Sequence, residues 1–329
     1  MAEGEAVSDQ AREFEAERKH LTAVAYRMLG SRAEAEDAVQ ETWLRYAAAL
    51  AEPTDRAEIR DLRAWLTTAV ARICLDVLRS ARVRRAAYPG QWLPEPVIDR
   101  LPGAAGPGGP EGFGPDPAER AARTDQVAMA LLVVLERLGP EQRVAFVLHD
   151  VFAVPFTEIA AVLGTSVAAA RQLASRGRRA IAEQRPRHSA DPAEQRRLLA
   201  AFLAAAESGD LDRLVGVLAP DAVFVSDGGG HFPVAREPIR GAVQVARFTA
   251  GLVRRLAREL TDRRAEPVLV NGEPGLRTEG GWATGRLRSV LWITAAQGRI
   301  TGVYNLLNPE KLAHLPALEP GASGWPPTW

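Results

Sequence analysis

Residues 224–234 read FVSDGGGHFPV, so Asp227 and His231 flank Gly228, Gly229 and Gly230. Three chemistries use such residues. A carboxylate and an imidazole in reach of each other form an acid/base pair. A glycine loop cradles phosphate. Asp-Gly after an apolar run closes a β-hairpin. The phosphate reading fails on pattern, because no GxxxxGK[ST] is present and the residues after the glycines read as strand. The turn is favoured over the Asp227–His231 pair, since a motif match is not yet a site geometry.

Two other stretches are cationic. Residues 72–85 carry five arginines and one acid, and residues 171–187 carry six arginines and one acid, Glu183. In the second, Val167, Ala170, Ala174, Gly177 and Ile181 recur at helical spacing as one stripe of small apolar residues. Arg171, Gln172, Ser175, Arg176, Arg178 and Arg179 lie off that stripe, and Ser166 caps the helix. Arginine and glutamine bond base edges bidentately, and further arginines grip phosphates. A short helix capped at Thr157, a turn at Gly164 and this longer helix form the pattern of a helix-turn-helix. The alternative is a solvated arginine face on a helical hairpin; the glycine turn and the stripe favour DNA. The first cationic stretch, by itself, leaves nucleic-acid binding and a solvated face even.

The elements that must position these residues fall into three units. Residues 10–92 read as helical, with a capping box at Ser31 and Glu34 opening a helix that places Ala35, Val39, Trp43, Tyr46 and Leu50 on one face. The opposite face carries Glu34, Asp37, Glu41 and Arg45, suited to a basic partner or to water. Residues 93–122, which include LPGAAGPGGPEGFGPDP, read as a flexible linker, and 123–187 as a second helical unit with Pro140 at a helix start. Residues 192–312 begin with helices and continue with the strand-like runs AVFVS, EPVLVNG, LRSVLWITA and RITGVYNLL around the helix GAVQVARFTAGLVRRLA, an α+β domain. Residues 313–329 are expected to form a tail, disordered in LEPGASGWPPTW.

The chain has 329 residues and 41 basic against 41 acidic side chains, so no global field draws it to nucleic acid or membrane; such affinity must be local. Only Lys19 and Lys311 of the basic residues are lysine. One cysteine, Cys74, cannot form an internal disulfide, and the acidic N-terminus and short apolar runs argue against a signal peptide or membrane span, so a cytoplasmic protein is expected. Five scattered histidines give no metal pattern.

With these features in order, AEDAVQETWLRY followed by LRAWLTTAVARICLDVLRSARVRR resembles region 2 of the extracytoplasmic-function (ECF) sigma factors of the σ70 family. LGPEQRVAFVLHDVFAVPFTEIAAVLGTSVAAARQLASRGRRAI resembles region 4. The resemblance covers residues 12–186 and implies two all-α domains. It further implies that Asp37, Gln40, Glu41, Trp43, Leu44 and Arg45 dock on the β′ clamp helices of core RNA polymerase, with the β flap as the further polymerase contact. Loop 51–60 and the helix with Arg72, Asp76, Arg79 and Arg82 would open and read the −10 promoter element, and helix 166–182 the −35 element.

YPGQWLPEPV at 88–97, DGGG at 227–230 and NPEKL at 308–312 are similar to motifs of the ECF subgroup with a fused SnoaL-like, NTF2-like cone domain. That implies regulation in cis, through Asp227, Gly228, Gly229, Gly230, His231, Asn308, Pro309, Glu310, Lys311 and Leu312 contacting the sigma core or its linker, with no separate anti-sigma factor, no cofactor and no enzymatic turnover. His231 departs from the pattern, which places a basic residue there; an imidazole would weaken or make pH-dependent any ion pair. Related cone domains include cyclases and hydrolases, and the cone can hold a small ligand, with Trp282, Trp292, Phe224, Phe248 and Tyr304 as candidate lining.

Overall fold

The computed structural model describes residues 2–51, 59–86, 88–100, 129–184, 191–283 and 285–318. The chain separates into two compact units, Met1–Ala87 with Leu131–Arg185, and Tyr88–Ala130 with Pro186–Trp329.

The first unit is helical. Helices α1 (Ala2–Leu29), α2 (Arg32–Ala51) and α3 (Leu62–Ala86) pack around Phe14, Leu21, Met28, Val39, Leu66, Val70 and Cys74, all buried. Ser31 Oγ accepts the Glu34 N–H at 3.3 Å and fixes the start of α2. After α4 (Met129–Leu135) come α5 (Pro140–Phe146) and one wide π turn, Val147–Val151. Then α6 (Phe156–Leu163) and α7 (Val167–Gln184) form a helix–turn–helix. The cap of α6 is Pro155 rather than Thr157, which sits inside the first turn. Ala170, Ala174, Gly177 and Ile181 of α7 are buried, and a Cβ on Gly177 would lie 3.2 Å from Phe146 Cβ and 3.3 Å from the Gln142 carbonyl. Gly177 lets α5 and α7 approach so closely that even a methyl group there would push them a few tenths of an ångström apart.

The second unit is a seven-stranded sheet with helices on one face. Its strands are β1 (Ile98–Arg100), β2 (Leu218–Asp227), β3 (Ile239–Arg240), β4 (Thr261–Val270), β5 (Glu273–Trp282), β6 (Gly285–Ala296) and β7 (Arg299–Leu306). The order across the sheet is β1-β4-β5-β6-β7-β2-β3; β2 and β7 run parallel and every other pair is antiparallel. Helices α8 (Pro192–Ser208), α9 (Leu211–Val217) and α10 (Ala242–Glu259) close over Phe202, Phe224, Val245, Leu276, Ile293 and Val303. Because side chains alternate along a strand, Ser226 faces this helical layer while Asp227 faces the other side.

Four expectations change here. Residues 93–100, expected within a flexible linker, are ordered: Leu93 is buried, β1 pairs with β4, and Val97 N–H donates to Asn271 Oδ1 at 2.8 Å while Asn271 N–H donates to the Val97 carbonyl at 2.8 Å. The glycines do not close a tight hairpin leading into strand; residues 228–238 form an irregular loop, and β2 is next met by the two-residue β3. Strand β5, absent from the expected runs, lies in the sheet between β4 and β6. Residues 313–318, expected as tail, are bound to the sheet: Arg264 Nη1 donates to the Leu318 carbonyl at 2.9 Å and Arg288 Nη1 to the Leu315 carbonyl at 3.0 Å. The remainder of the 93–122 linker beyond Arg100, and residues 319–329, lie outside the described residues.

Candidate functional site

On α2, every third or fourth residue belongs to the bundle and the rest face solvent. Asp37, Gln40, Glu41, Leu44 and Arg45 are exposed, with Leu44 at 66%. Glu41 and Arg45 bond at 2.8 Å, an i,i+4 pair. Trp43 is half-buried and packs edge-on against Phe14 with ring centres 5.1 Å apart, so it anchors the helix more than it extends the exposed face.

Helix α7 presents Arg171, Gln172, Ser175, Arg176, Arg178 and Arg179 on one exposed face, opposite its buried stripe. Ser166 Oγ accepts the Ala169 N–H at 3.2 Å and so orients that face. Arg178 is tied to both oxygens of Asp150 at 2.9 and 3.0 Å, and the Arg171 guanidinium lies 5.6 Å from the Phe156 ring centre. On α3, Arg72 Nη2 donates to the Ala161 carbonyl of α6 at 3.3 Å, and Arg79 Nε donates to Glu141 of α5 at 3.1 Å. Asp76 is exposed, 3.9 Å from Arg79. The side chain of Arg82 and residues 52–58 of the expected promoter-melting loop lie outside the described residues.

The glycine motif belongs to a buried cluster in the second unit. Asp227 is 0% exposed, and its carboxylate accepts four hydrogen bonds. Oδ1 takes the Tyr88 hydroxyl at 2.5 Å and the Gly229 N–H at 3.0 Å; Oδ2 takes the Leu93 N–H at 2.9 Å and Lys311 Nζ at 2.7 Å. Lys311, 4% exposed, also donates to the Leu93 carbonyl at 2.5 Å and sits 3.1 Å from the centre of the Trp92 ring. Asn308 Nδ2 donates to the Tyr88 hydroxyl at 2.9 Å. Burial, then the bond to Asp227, push the Tyr88 phenol up, so it stays a neutral donor. Gly229 has φ +60°, and a Cβ there would lie 2.5 Å from the Asn308 side chain, so the glycine is required both for its conformation and for space. Leu312 is fully buried, while Pro309 and Glu310 are exposed.

The acid/base pair considered for the motif does not form. Asp227 is turned into the cluster, and His231 instead stands 3.6 Å from Glu310 on the surface. Its partner is a carboxylate across an exposed turn, where an ion pair contributes little.

Family models match residues 14–84 as sigma-70 region 2 and residues 128–181 as sigma-70 region 4. The chain is 44% identical over 312 residues to the ECF RNA polymerase sigma factor SigJ of Mycobacterium tuberculosis, covering 93% of this chain and 94% of the relative. The chain belongs to the ECF sigma factors. A second relative, the probable ECF sigma factor SigI of the same species, is 35% identical over 92% of this chain and 95% of its own length. The crystal structure of SigJ covers 92% of this chain and 98% of that chain, with a TM-score of 0.68 and 42% identity. As a sigma factor, this chain carries regions 2 and 4 in its helical unit, and an α+β unit with a seven-stranded sheet besides. Among the described residues no helix is long and apolar enough to cross a membrane.

Tyr88, Trp92 and Leu93, from the YPGQWLPEPV motif that the sequence singled out without assigning its residues a role, complete the Asp227 cluster. One group was missed by reading the sequence. On β5, buried Glu279 bonds Arg277, lies 3.5 Å from Arg288 and 3.4 Å from Arg286, and accepts the Leu318 N–H at 3.1 Å, which anchors residues 315–318. Burial works to raise the Glu279 carboxyl, but the Leu318 N–H and the arginines outweigh it and hold it below the usual range.

Proposed function

We propose that this sigma factor binds core RNA polymerase through the exposed face of α2, meets the −10 element through α3 and the loop before it, and meets the −35 element through α7. The α+β unit regulates these steps in cis, without a separate anti-sigma protein and without catalysing a reaction. The observation that carries the regulatory reading is the clasp on residues 88–97. The segment that follows region 2 is held by Asp227 and Lys311 through buried bonds to Tyr88, Trp92 and Leu93. A linker gripped at its start has less freedom to follow the path that polymerase requires of it. The polymerase reading is supported by Leu44, a leucine left exposed beside acidic Asp37 and Glu41. An apolar centre ringed by charge is the composition of a protein interface.

The test is run-off transcription with core polymerase on DNA upstream of the chain's own gene. The full chain is expected to direct specific initiation, and Leu44→Asp to abolish it together with core binding. Lys311→Ala is expected to change initiation at least threefold with core affinity unchanged, and truncation after Arg187 reports the sign of regulation. Equal transcription by the full chain, Lys311→Ala and the truncation would overturn the regulatory reading; retained core binding in Leu44→Asp would overturn the docking face.

A further inference from the structure

The aromatic residues expected to line a cone do not build a ligand site among the described residues. Trp292 and Tyr304 stack on each other with ring centres 5.5 Å apart, and the space bordered by Phe224, Phe248 and Trp282 amounts to about 40 Å³. Small-molecule sites have roughly 300–1,000 Å³. The outer face of α10 carries more. At 3.6 residues per turn, Arg247, Gly251, Arg254 and Arg258 fall on one line, opposite the buried Val245 and Thr249. All three arginines are exposed. From Arg247 to Arg258 the stripe is about 16 Å long at about 1.5 Å per residue.

A solvated arginine face is commonly balanced by acids one turn away. Glu41 balances Arg45 in this way on α2 at 2.8 Å, and Glu259 balances Arg255 beside the stripe at 3.0 Å. Among the described residues none of Arg247, Arg254 and Arg258 has a carboxylate partner; Arg254 Nε donates to the Ala250 carbonyl of its own helix at 3.2 Å. The helix dipole favours a cation in the last turn, which accounts for Arg258 but not for Arg247 in the second turn. Gly251 is the second anomaly. A glycine inside a helix destabilises it relative to alanine. A Cβ at Gly251 would meet nothing within 4 Å, so the packing of the unit does not call for a glycine there. It leaves bare backbone between two guanidinium groups, where another surface can come close. Helix α7, assigned to the −35 element, has the same arrangement. Arg171, Ser175 and Arg178 repeat the spacing of Arg247, Gly251 and Arg254, a small residue between two arginines at intervals of four and three.

We propose that this stripe is a third contact with DNA, in which Arg247, Arg254 and Arg258 bond the phosphates of a duplex that polymerase has brought to the chain. Guanidinium forks bond phosphate oxygens in pairs. Phosphates of one strand advance about 3.4 Å each along the duplex axis, so the stripe covers about five of them. Arg72, Arg79 and Arg178 must first leave a carbonyl or a carboxylate to meet DNA, whereas Arg247 and Arg258 have no such partner to leave. The contact rests on the assignment of the chain to promoter DNA and is independent of the clasp.

The experiment measures binding of the full chain with core polymerase to a long duplex from upstream of its own gene, as a function of salt, alongside run-off transcription. Each phosphate contact contributes about 0.9 to the slope of log affinity against log salt, so Arg247→Ala, Arg254→Ala and Arg258→Ala together should reduce the slope by about 2–3. Between about 200 and about 50 mM salt, the advantage of the native chain over this variant should therefore grow about fortyfold. Gly251→Glu places a carboxylate in the open space at the centre of the stripe; it should also weaken binding at low salt, with melting temperature and core affinity unchanged. The control is Arg196→Ala with Arg197→Ala, exposed arginines of α8 close to Asp191, which should leave the slope unchanged. An unchanged slope in the triple variant, or an equal fall per charge in the control, would overturn the proposal. So would a loss confined to single-stranded RNA of the same sequence. If the unmodified chain binds the duplex without initiating, the roles of α3 and α7 fail, while the slope comparison still decides the stripe.

Discussion

Replacing Lys311 by Met tests whether the clasp is an electrostatic lock or mere packing. Methionine nearly matches the length of the lysine stem but carries no charge. In the native unit Nζ lies 2.7 Å from Asp227 Oδ2. At an effective dielectric of about 20 that separation corresponds to a gross attraction of roughly 6 kcal/mol. Desolvating both ions takes back part of it. Removing one member then costs about 3–5 kcal/mol, because the other charge stays buried alone. Asp227 would retain the bonds from Tyr88, Leu93 and Gly229, which favours the lower end, about 3 kcal/mol. At about 2–4 °C per kcal/mol for a domain of this size, the melting transition of the α+β unit should fall by about 6–12 °C.

The assay is thermal unfolding combined with hydrogen exchange over residues 88–97, where the Leu93 amide should lose protection first. The decisive comparison is Lys311→Met with and without Asp227→Asn. Asparagine removes the lone charge but has one acceptor oxygen where the Leu93 and Gly229 N–H groups bond to two, so one of them loses its partner; the double variant should lose clearly less than the sum of the two single losses. A loss under about 1 kcal/mol in Lys311→Met, or strictly additive losses in the double variant, would refute the lock.

Arg176→Ala, Arg178→Ala or Arg179→Ala should each weaken holoenzyme binding to DNA bearing the −35 element by roughly 1–3 kcal/mol in a filter or fluorescence assay, the Arg178 loss being smaller by no more than the about 0–1 kcal/mol of its exposed pair with Asp150. Glu279 has its carboxyl lowered in the folded state, so its stabilisation is complete above the ordinary glutamate value of about 4.3 and is lost as pH falls below that through the lowered folded value. Unfolding measured against pH should therefore show an acid-side loss below about pH 4.3 that Glu279→Gln removes; the same loss persisting in the variant would show that another group drives it.

The helical unit was legible because its signals are local. Apolar spacing on α2 and α7, the Ser31 and Ser166 caps and the close-packed Gly177 all lie within a few turns of what they organise. The clasp was not, because its members lie far apart in the chain: Tyr88 and Lys311 reach Asp227 from 139 and 84 residues away. Two hints were present: YPGQWLPEPV, DGGG and NPEKL, which supply its members, are together similar to motifs of one ECF subgroup, and one of its members is a rare lysine. In a chain where all but two cations are arginine, Lys311 stands out, and a compact ammonium fits between a carboxylate, a carbonyl and an indole face where a planar guanidinium fork would not. Strand β5 was invisible for a different reason. Arg277 and Glu279 read as surface residues, yet they are buried as a pair beneath residues 315–318, so β5 shows no alternation of apolar and polar positions.

The same contrast in burial separates what must yield from what must hold. In the helical unit, arginines that the proposed function assigns to promoter DNA already have protein partners: Arg79 with Glu141, Arg72 with the Ala161 carbonyl, Arg178 with Asp150. These contacts are exposed, and exposed ion pairs contribute about 0–1 kcal/mol each. DNA phosphates, with counterion release behind them, can displace such partners at little cost. On the proposed function, these three arginines would exchange their internal partners for phosphates when polymerase brings DNA to them. The Asp227–Lys311 pair is fully buried and several-fold stronger to break, so it is not exchanged in this way. Regulation that acts through the clasp therefore requires a change inside the α+β unit itself, not competition by DNA at its surface.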